Sequence, residues 1–204
     1  MNTSSTFWDK ISRKYAARPV SNIPAYEQTL ERVQSYLGEG DTVLEVGGGT
    51  GSTALTLAPC AARYVGSDFS KGMIDIANEK LAKTDIANLE FRCAGLGQGD
   101  FDGQSFDAVL GFNLFHLIPD APAAMREIHG LLTPGGLFIS KTPCVAKLWY
   151  LRPAIKVMQW IGKAPFLRFY TFDGLERDIR SAGFEIIETG NFPAISRFVV
   201  ARKL

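Results

Sequence analysis

Glu45 stands two residues ahead of a glycine cluster, Gly47-Gly48-Gly49-Thr50-Gly51, at the end of the apolar run Val43-Leu44-Glu45-Val46. Glycines at alternate positions let a backbone take left-handed dihedrals and let a ligand approach with no Cβ in its way. A helix starting just beyond them offers unpaired N–H groups at its N-terminus. Dinucleotide sites favour G-x-G-x-x-G, because a pyrophosphate must rest against that helix start. Counted from Gly47 the sixth position is Ser52, so that fingerprint is incomplete, and what the chain has is G-x-G-x-G. A carboxylate beside such a turn repels a pyrophosphate and suits a cationic ligand. The alternative is an ordinary glycine loop with no ligand at all.

A second acid sits at a telling distance. Asp68, in Gly66-Ser67-Asp68-Phe69-Ser70, lies about 20 residues past the glycines, where a carboxylate can accept hydrogen bonds from both hydroxyls of a ribose. Its plainer role would be to cap the next helix, as would that of Ser70. Glycine turn and acid together favour S-adenosylmethionine (SAM), a sulfonium, over NAD. Further along, His116 in Asn113-Leu114-Phe115-His116 is a candidate general base, with a packed histidine at a helix start as the alternative. The three cysteines, Cys60, Cys93 and Cys144, form no CxxC pair and read as reduced thiols, and with only two histidines no metal site is expected.

These residues need a scaffold that brings strand ends together. Phe7, Ile11 and Tyr15 recur on one face of a helix over Ser5 to Tyr15, and a second helix opens at Pro24 and ends at Gly38 and Gly40. Strands are then expected at Asp41 to Val46, Arg63 to Gly66, Asn88 to Cys93, Phe106 to Gly111 and Leu137 to Lys141. Helices fall between them at Ser52 to Ala58, Lys71 to Leu81 and Ala121 to Leu132, and Pro134-Gly135-Gly136 reads as a tight turn into the fifth strand. Such alternation gives a mostly parallel, Rossmann-like α/β sheet with helices on both faces. A helix over Phe172 to Ala182 follows, then strands Phe184 to Thr189 and Ser196 to Arg202, whose short connection allows only an antiparallel hairpin. The fold class is therefore a seven-stranded sheet with a C-terminal antiparallel hairpin.

Bulk composition narrows the rest. The 204 residues suit one domain, 46% hydrophobic and 21% charged, and the net charge of +1 provides no global field for nucleic acid. The N-terminus has no apolar signal region and no stretch is long enough to span a bilayer, so a cytoplasmic location is expected.

VLEVGGGTG, GSDFSKGMIDIA, FDAVLGFNLFHLI and LLTPGGLFISK resemble, in order, motifs of the class I SAM-dependent methyltransferases, in particular the type 11 branch with the ubiquinone and menaquinone methyltransferases. The likeness covers about Asp41 to Lys141, and the closing AGFEII…FVVARK is similar to the family's terminal hairpin. It implies that Glu45, Gly47, Gly49 and Gly51 cradle the methionine half of SAM, that Asp68 holds the ribose, that Phe69 and Met73 pack near the adenine, and that Asn113 adjoins the methionine and the acceptor. Where the family carries an acid for the adenine amino group, this chain has Gly95. It also lacks the Pro-Pro-aromatic signature of nucleic-acid amino-methyltransferases after Asn113, so no nucleic-acid partner is expected.

The resemblance implies one domain with four parts: a helical lid over residues 1–38, a SAM-binding core over 39–144, a substrate-cap insertion over 145–172, and a helix and hairpin over 173–204. Tyr15 in the lid is expected to face the methyl site, with core packing as the alternative. The aromatic and basic stretch 147–172 reads as a cap over a small-molecule or lipid-like acceptor, as an interfacial helix on a membrane surface, or as a helix packed on the sheet. A homodimer stays open, as do a non-catalytic SAM-binding protein and a protein or RNA methyltransferase.

Overall fold

The computed structural model describes residues 3–204. Thr42–Val46 (β1) buries Val43, Leu44 and Val46, as a strand covered on both faces requires, and its one buried charged residue is Glu45. Beside it run Arg63–Asp68 (β2), Leu89–Cys93 (β3), Phe106–Phe112 (β4) and Leu132–Pro143 (β5), all parallel. Phe184–Gly190 (β6) and Ser196–Lys203 (β7) close the sheet as an antiparallel pair, with β7 inserted against β5. The order is β3-β2-β1-β4-β5-β7-β6, the seven-stranded arrangement expected from the sequence.

The helices are Thr3–Ala16 (α1), Ile23–Gln34 (α2), Ser52–Leu57 (α3), Lys71–Leu81 (α4), Ala121–Leu131 (α5), Arg152–Trp160 (α6) and Phe172–Ser181 (α7). On one face of the sheet, Met125 and Ile128 of α5 and Leu175 and Ile179 of α7 bury against Leu44, Phe106, Phe138 and Phe184. On the other, Leu30 and Val33 of α2 and Ala54 and Leu57 of α3 bury against Val43, Tyr64, Leu110, Ile139 and Phe198. Side chains alternate along a strand. Glu45 therefore shares the second face with Val43, and Lys141 shares it with Ile139.

Several element ends differ from expectation, and three of the differences have a visible cause. Helix α2 stops at Gln34 rather than at the glycines, because Tyr36 turns its hydroxyl to Glu188 of β6 (2.6 Å) and Asp41 takes the Gly38 N–H (2.8 Å). Strand β2 runs to Asp68, since Ser67 pairs with Val46 and Asp68 with Cys93. Strand β5 starts at Leu132, opposite Phe106, and Pro134-Gly135-Gly136 bulges out of it before pairing resumes at Leu137 and Ala108.

Sequence order reverses across β1 and β4: the chain crosses from β1 to β2 on one side and returns to β4 on the other. Ligands bind outside the carboxyl ends of strands at such a switch point. The glycine turn leaves β1 there.

Candidate active site

Gly47, Gly49 and Gly51 all take positive φ, at 66°, 56° and 74°. A Cβ on Gly47 would stand 2.7 Å from Cδ1 of Leu114, so the turn and the loop after β4 close against each other only because Gly47 is bare. The Gly48 N–H donates to the Ser67 carbonyl (2.8 Å). From beneath, the Lys80 ammonium donates to the Thr50 carbonyl (2.9 Å), the Thr50 hydroxyl (3.0 Å) and the Ser52 hydroxyl (2.9 Å).

Asp68 pins the turn from the β2 side. Its Oδ2 accepts the Gly49 N–H at 3.0 Å and its Oδ1 the Ser70 N–H at 2.8 Å. Ser70, not Asp68, caps α4, its side chain accepting the Met73 N–H. Each Asp68 oxygen keeps a second lone pair, the condition for accepting a hydroxyl as well. Burial raises its carboxyl above the ordinary value, and the two backbone donors hold it down again in part. Glu45 is also buried, accepting the Tyr64 hydroxyl at 2.8 Å, and desolvation pushes it up to about 7. Two desolvated carboxyl groups at one strand edge are a place for a cation.

Two cavities open along this edge. The first, about 640 Å³, is lined by Glu45, Gly47, Gly49, Asp68, Met73, Asn113, Tyr15 and Lys141, among others. The second, about 910 Å³, runs past Ala94, Gly95 and Leu96 to Phe7 of α1 and to Pro165 and Phe166 beyond α6. They meet at Gly47, Phe69, Leu114, Leu117 and Ile118. Helix α1 is held over the groove by Asp9, which accepts from the Ser70 hydroxyl (2.6 Å) and the Gly72 N–H (2.9 Å).

Most of the residues singled out in the sequence thus converge. Glu45, Gly47, Gly49, Asp68, Phe69, Met73, Asn113 and Tyr15 all line the groove. Met73 lines the cavity that holds Glu45, Asp68 and Phe69, and not the one that passes Gly95. Gly51 lines neither cavity: its bare Cα makes room for Phe91, whose Cζ would stand 2.5 Å from a Cβ, and it serves the turn. Asn113 adopts a positive φ of 53°, which turns the chain at the end of β4.

His116 lines neither cavity, whereas its neighbours Leu114, Leu117 and Ile118 line both. Its Nδ1 is buried with no hydrogen-bond partner among the described residues, and burial pushes the imidazole down to about 4. Its carbonyl accepts the Arg168 N–H at 2.7 Å, which ties the segment after α6 to the loop after β4. Tyr15 keeps 44% of its surface, yet desolvation and the nearby Asp68 carboxylate raise its phenol, so its hydroxyl stays a donor at neutral pH.

Three features of the groove carried no legible signal. Lys141 is buried at the end of β5 beside the first cavity. Gln98 and Glu127 border the second near Gly95, and Glu127 accepts the Gly97 N–H at 2.6 Å. Among the described residues no group of three or more His, Cys, Asp or Glu is placed to hold a metal ion.

Residues 43–136 match the model of the methyltransferase domain family. They hold the glycine turn, Asp68 and Asn113. Over this stretch the chain is similar to a methyltransferase domain. The chain is 34% identical over 101 residues to a demethylmenaquinone methyltransferase of Clavibacter sepedonicus, covering 49% of this chain and 40% of that protein. It is 30% identical over 143 residues to that of Staphylococcus epidermidis, covering 66% and 57%. The chain thus spans about half the length of these two relatives. In fold it is similar to the magnesium protoporphyrin IX methyltransferase of Synechocystis PCC 6803 with bound SAM, with a TM-score of 0.71 at 20% identity over 98% of this chain and 93% of that one.

Proposed function

We propose that the chain is a SAM-dependent methyltransferase acting on a small-molecule or lipophilic acceptor. The observation that carries the reading is the groove itself, where the bare Gly47–Gly49 turn meets buried Glu45 and Asp68 at the switch point. A Cβ on Gly49 would meet nothing within 4 Å, so the cradle has room for a ligand, and the two carboxyl groups fit a sulfonium with an amino group at one end and a ribose beside it. When bound, SAM supplies a methyl group for in-line displacement by an electron-rich atom.

In this reading the Gly47 and Gly49 backbone and Glu45 hold the methionine half, and Asp68 holds the ribose hydroxyls. Phe69, which borders both cavities, covers the junction. Gln98 or Glu127 takes the place of the acid missing at Gly95. Alignment of the reacting atoms supplies most of the rate. Tyr15 offers the acceptor a hydrogen bond from the lid; His116 acts as a base only if the loop after β4 turns it into the groove.

The acceptor class follows from the larger cavity, whose border of Phe7, Leu96, Leu117, Ile118 and Phe166 is mostly apolar. Both relatives are named for demethylmenaquinone and the structural neighbour for magnesium protoporphyrin IX, which are small-molecule acceptors. The segment beyond β5 adds a surface to this. No residue of α6 is buried, Trp149 and Trp160 are 67% and 87% exposed, and residues 128–172 contain no Asp or Glu. Lys147, Arg152, Lys156 and Lys163 lie in the same stretch. This is the composition of an interfacial helix on anionic lipid, next to the mouth through which a lipophilic acceptor would enter.

The test is transfer of label from methyl-labelled SAM into a cell extract separated into lipid, polar small-molecule, protein and nucleic-acid pools. Label in the lipid or small-molecule pool is the expected result. Label in protein or nucleic acid would overturn the acceptor class.

A further inference from the structure

Lys141 is 7% exposed, at the carboxyl end of β5, and its side chain lies on the α2 face of the sheet. Its Nζ donates to the Thr29 hydroxyl at 2.9 Å, and Thr29 passes its own hydrogen to the Ala25 carbonyl at 2.6 Å. Among the described residues no carboxylate forms an ion pair with it. An ammonium has three hydrogens to give, and one is used. Burying a charge without a counter-ion is costly, and such charges are normally paired. Glu45 and Asp68 border the same cavity but are engaged by Tyr64 and by the Gly49 and Ser70 N–H groups.

The register says which ligand this cation can face. Glu45 pairs with Leu110 of β4, and Leu110 with Ile139 of β5, so Lys141 stands one side-chain step further toward the strand ends. Two strand spacings separate it from β1, about 10 Å. The cofactor's cradle lies over β1 and β2; Lys141 faces the part of the cavity beyond Phe112 and Asn113, bordered by Tyr26, Pro193 and Ser196. From the lone buried ammonium in that position we infer that Lys141 binds an anionic oxygen of the methyl acceptor, a carboxylate or an ionised phenol or enol. The inference rests on the methyltransferase reading and deepens it. Demand for such a group limits acceptors to those with an oxyanion near the methylated atom, and in the ionised phenol or enol case that oxygen also makes the acceptor electron-rich.

The experiment uses the full chain saturated with S-adenosylhomocysteine and two matched pairs of probes. These are 2-naphthoate with 2-naphthylmethanol, and 4-nitrophenolate with 4-nitroanisole, titrated at pH 8 into the wild type and Lys141→Met. Methionine keeps an unbranched chain one atom shorter than lysine and without the charge, and Lys141→Gln serves as a second variant should the first melt early. The expected result is that at least one anion binds about tenfold tighter than its neutral partner in the wild type, and that this preference disappears in the variants. Which pair responds tells carboxylate from phenolate. Equal binding of anion and neutral partner, or a preference that survives in the variants, would overturn the inference. So would a tenfold loss of S-adenosylhomocysteine affinity in the variants, which would assign the ammonium to the cofactor. The same titrations without S-adenosylhomocysteine separate the two readings. A wild type that shows the Lys141-dependent anion preference but binds no S-adenosylhomocysteine would keep the oxyanion site and end the methyltransferase reading.

Discussion

Tyr64 donates its phenolic hydrogen to Oε2 of Glu45 at 2.8 Å, and both side chains are buried. The hydrogen bond favours the carboxylate, but desolvation is the larger effect and lifts Glu45 from 4.5 to about 7. Between those values the folded chain holds a proton that the unfolded chain has lost, so the unliganded protein loses stability as pH rises through that window. A cation bound beside Glu45 favours the charged form and expels the proton. SAM affinity should therefore rise about tenfold between pH 6 and pH 8. Calorimetry in two buffers of different ionisation enthalpy should show proton release that Glu45→Gln abolishes. A flat profile in the wild type would count against Glu45 as the partner of the cation.

Gly49 and Gly51 share a left-handed backbone but differ in what surrounds them. Alanine at either position carries about 1–2 kcal/mol of backbone strain. At Gly51 the new methyl also drives into Phe91 and Ala77, whereas at Gly49 it meets open groove. Gly51→Ala should lower the melting temperature clearly more than Gly49→Ala does. Gly49→Ala should weaken SAM binding by about tenfold or more while leaving most of the stability. Thermal melts of both proteins, alone and with S-adenosylhomocysteine, check the contrast, and equal stability of the two would refute the account of Gly51.

His116 and Tyr15 can be told apart by kinetics. Loss of a general base costs about 10²–10⁴ in rate. His116→Ala should change kcat less than about tenfold and leave its pH profile in place, because the imidazole lies outside the groove lining. Tyr15→Phe should lower kcat/KM about tenfold, the worth of one hydrogen bond. A drop of a hundredfold or more in His116→Ala, with the acid limb of the profile lost, would restore histidine as the base.

How much could be read beforehand depended on whether a contact was local. Helix α4 falls at Lys71–Leu81 as expected because its cap, Ser70, and its buried row of Met73, Ile74 and Ala77 are neighbours in sequence. The glycine turn and Asp68 were legible for a similar reason, since spacing within one strand-turn-helix-strand unit fixes their geometry. The extension of β2 to Asp68 was not, because it is set by pairing with Cys93 of another strand. Lys141 gave no signal: its meaning comes from Thr29, 112 residues away. His116 shows the converse. A histidine after β4 looks placed for chemistry, but the short 3-10 turn Phe115–Leu117 directs Leu114 and Leu117 to the groove instead.

Residues 145–172 make a separate prediction. With Trp160 and Trp149 exposed and no acid from residue 128 to 172, the chain should sediment with vesicles containing anionic lipid and much less with neutral ones. Replacing Trp160 and Val157 with serine should reduce that binding severalfold without lowering the melting temperature, since neither side chain is buried. No sedimentation with anionic vesicles in low salt would remove the membrane contact.

The central claim, that the groove at the β1 and β4 ends is a SAM site held by Glu45 and Asp68, is tested most directly by titrating S-adenosylhomocysteine and, separately, NAD into the wild type and Asp68→Ala. The account predicts one S-adenosylhomocysteine bound per chain, affinity reduced at least about tenfold in the variant, and no heat from NAD. NAD binding in place of S-adenosylhomocysteine, or an affinity for S-adenosylhomocysteine indifferent to Asp68, would contradict it.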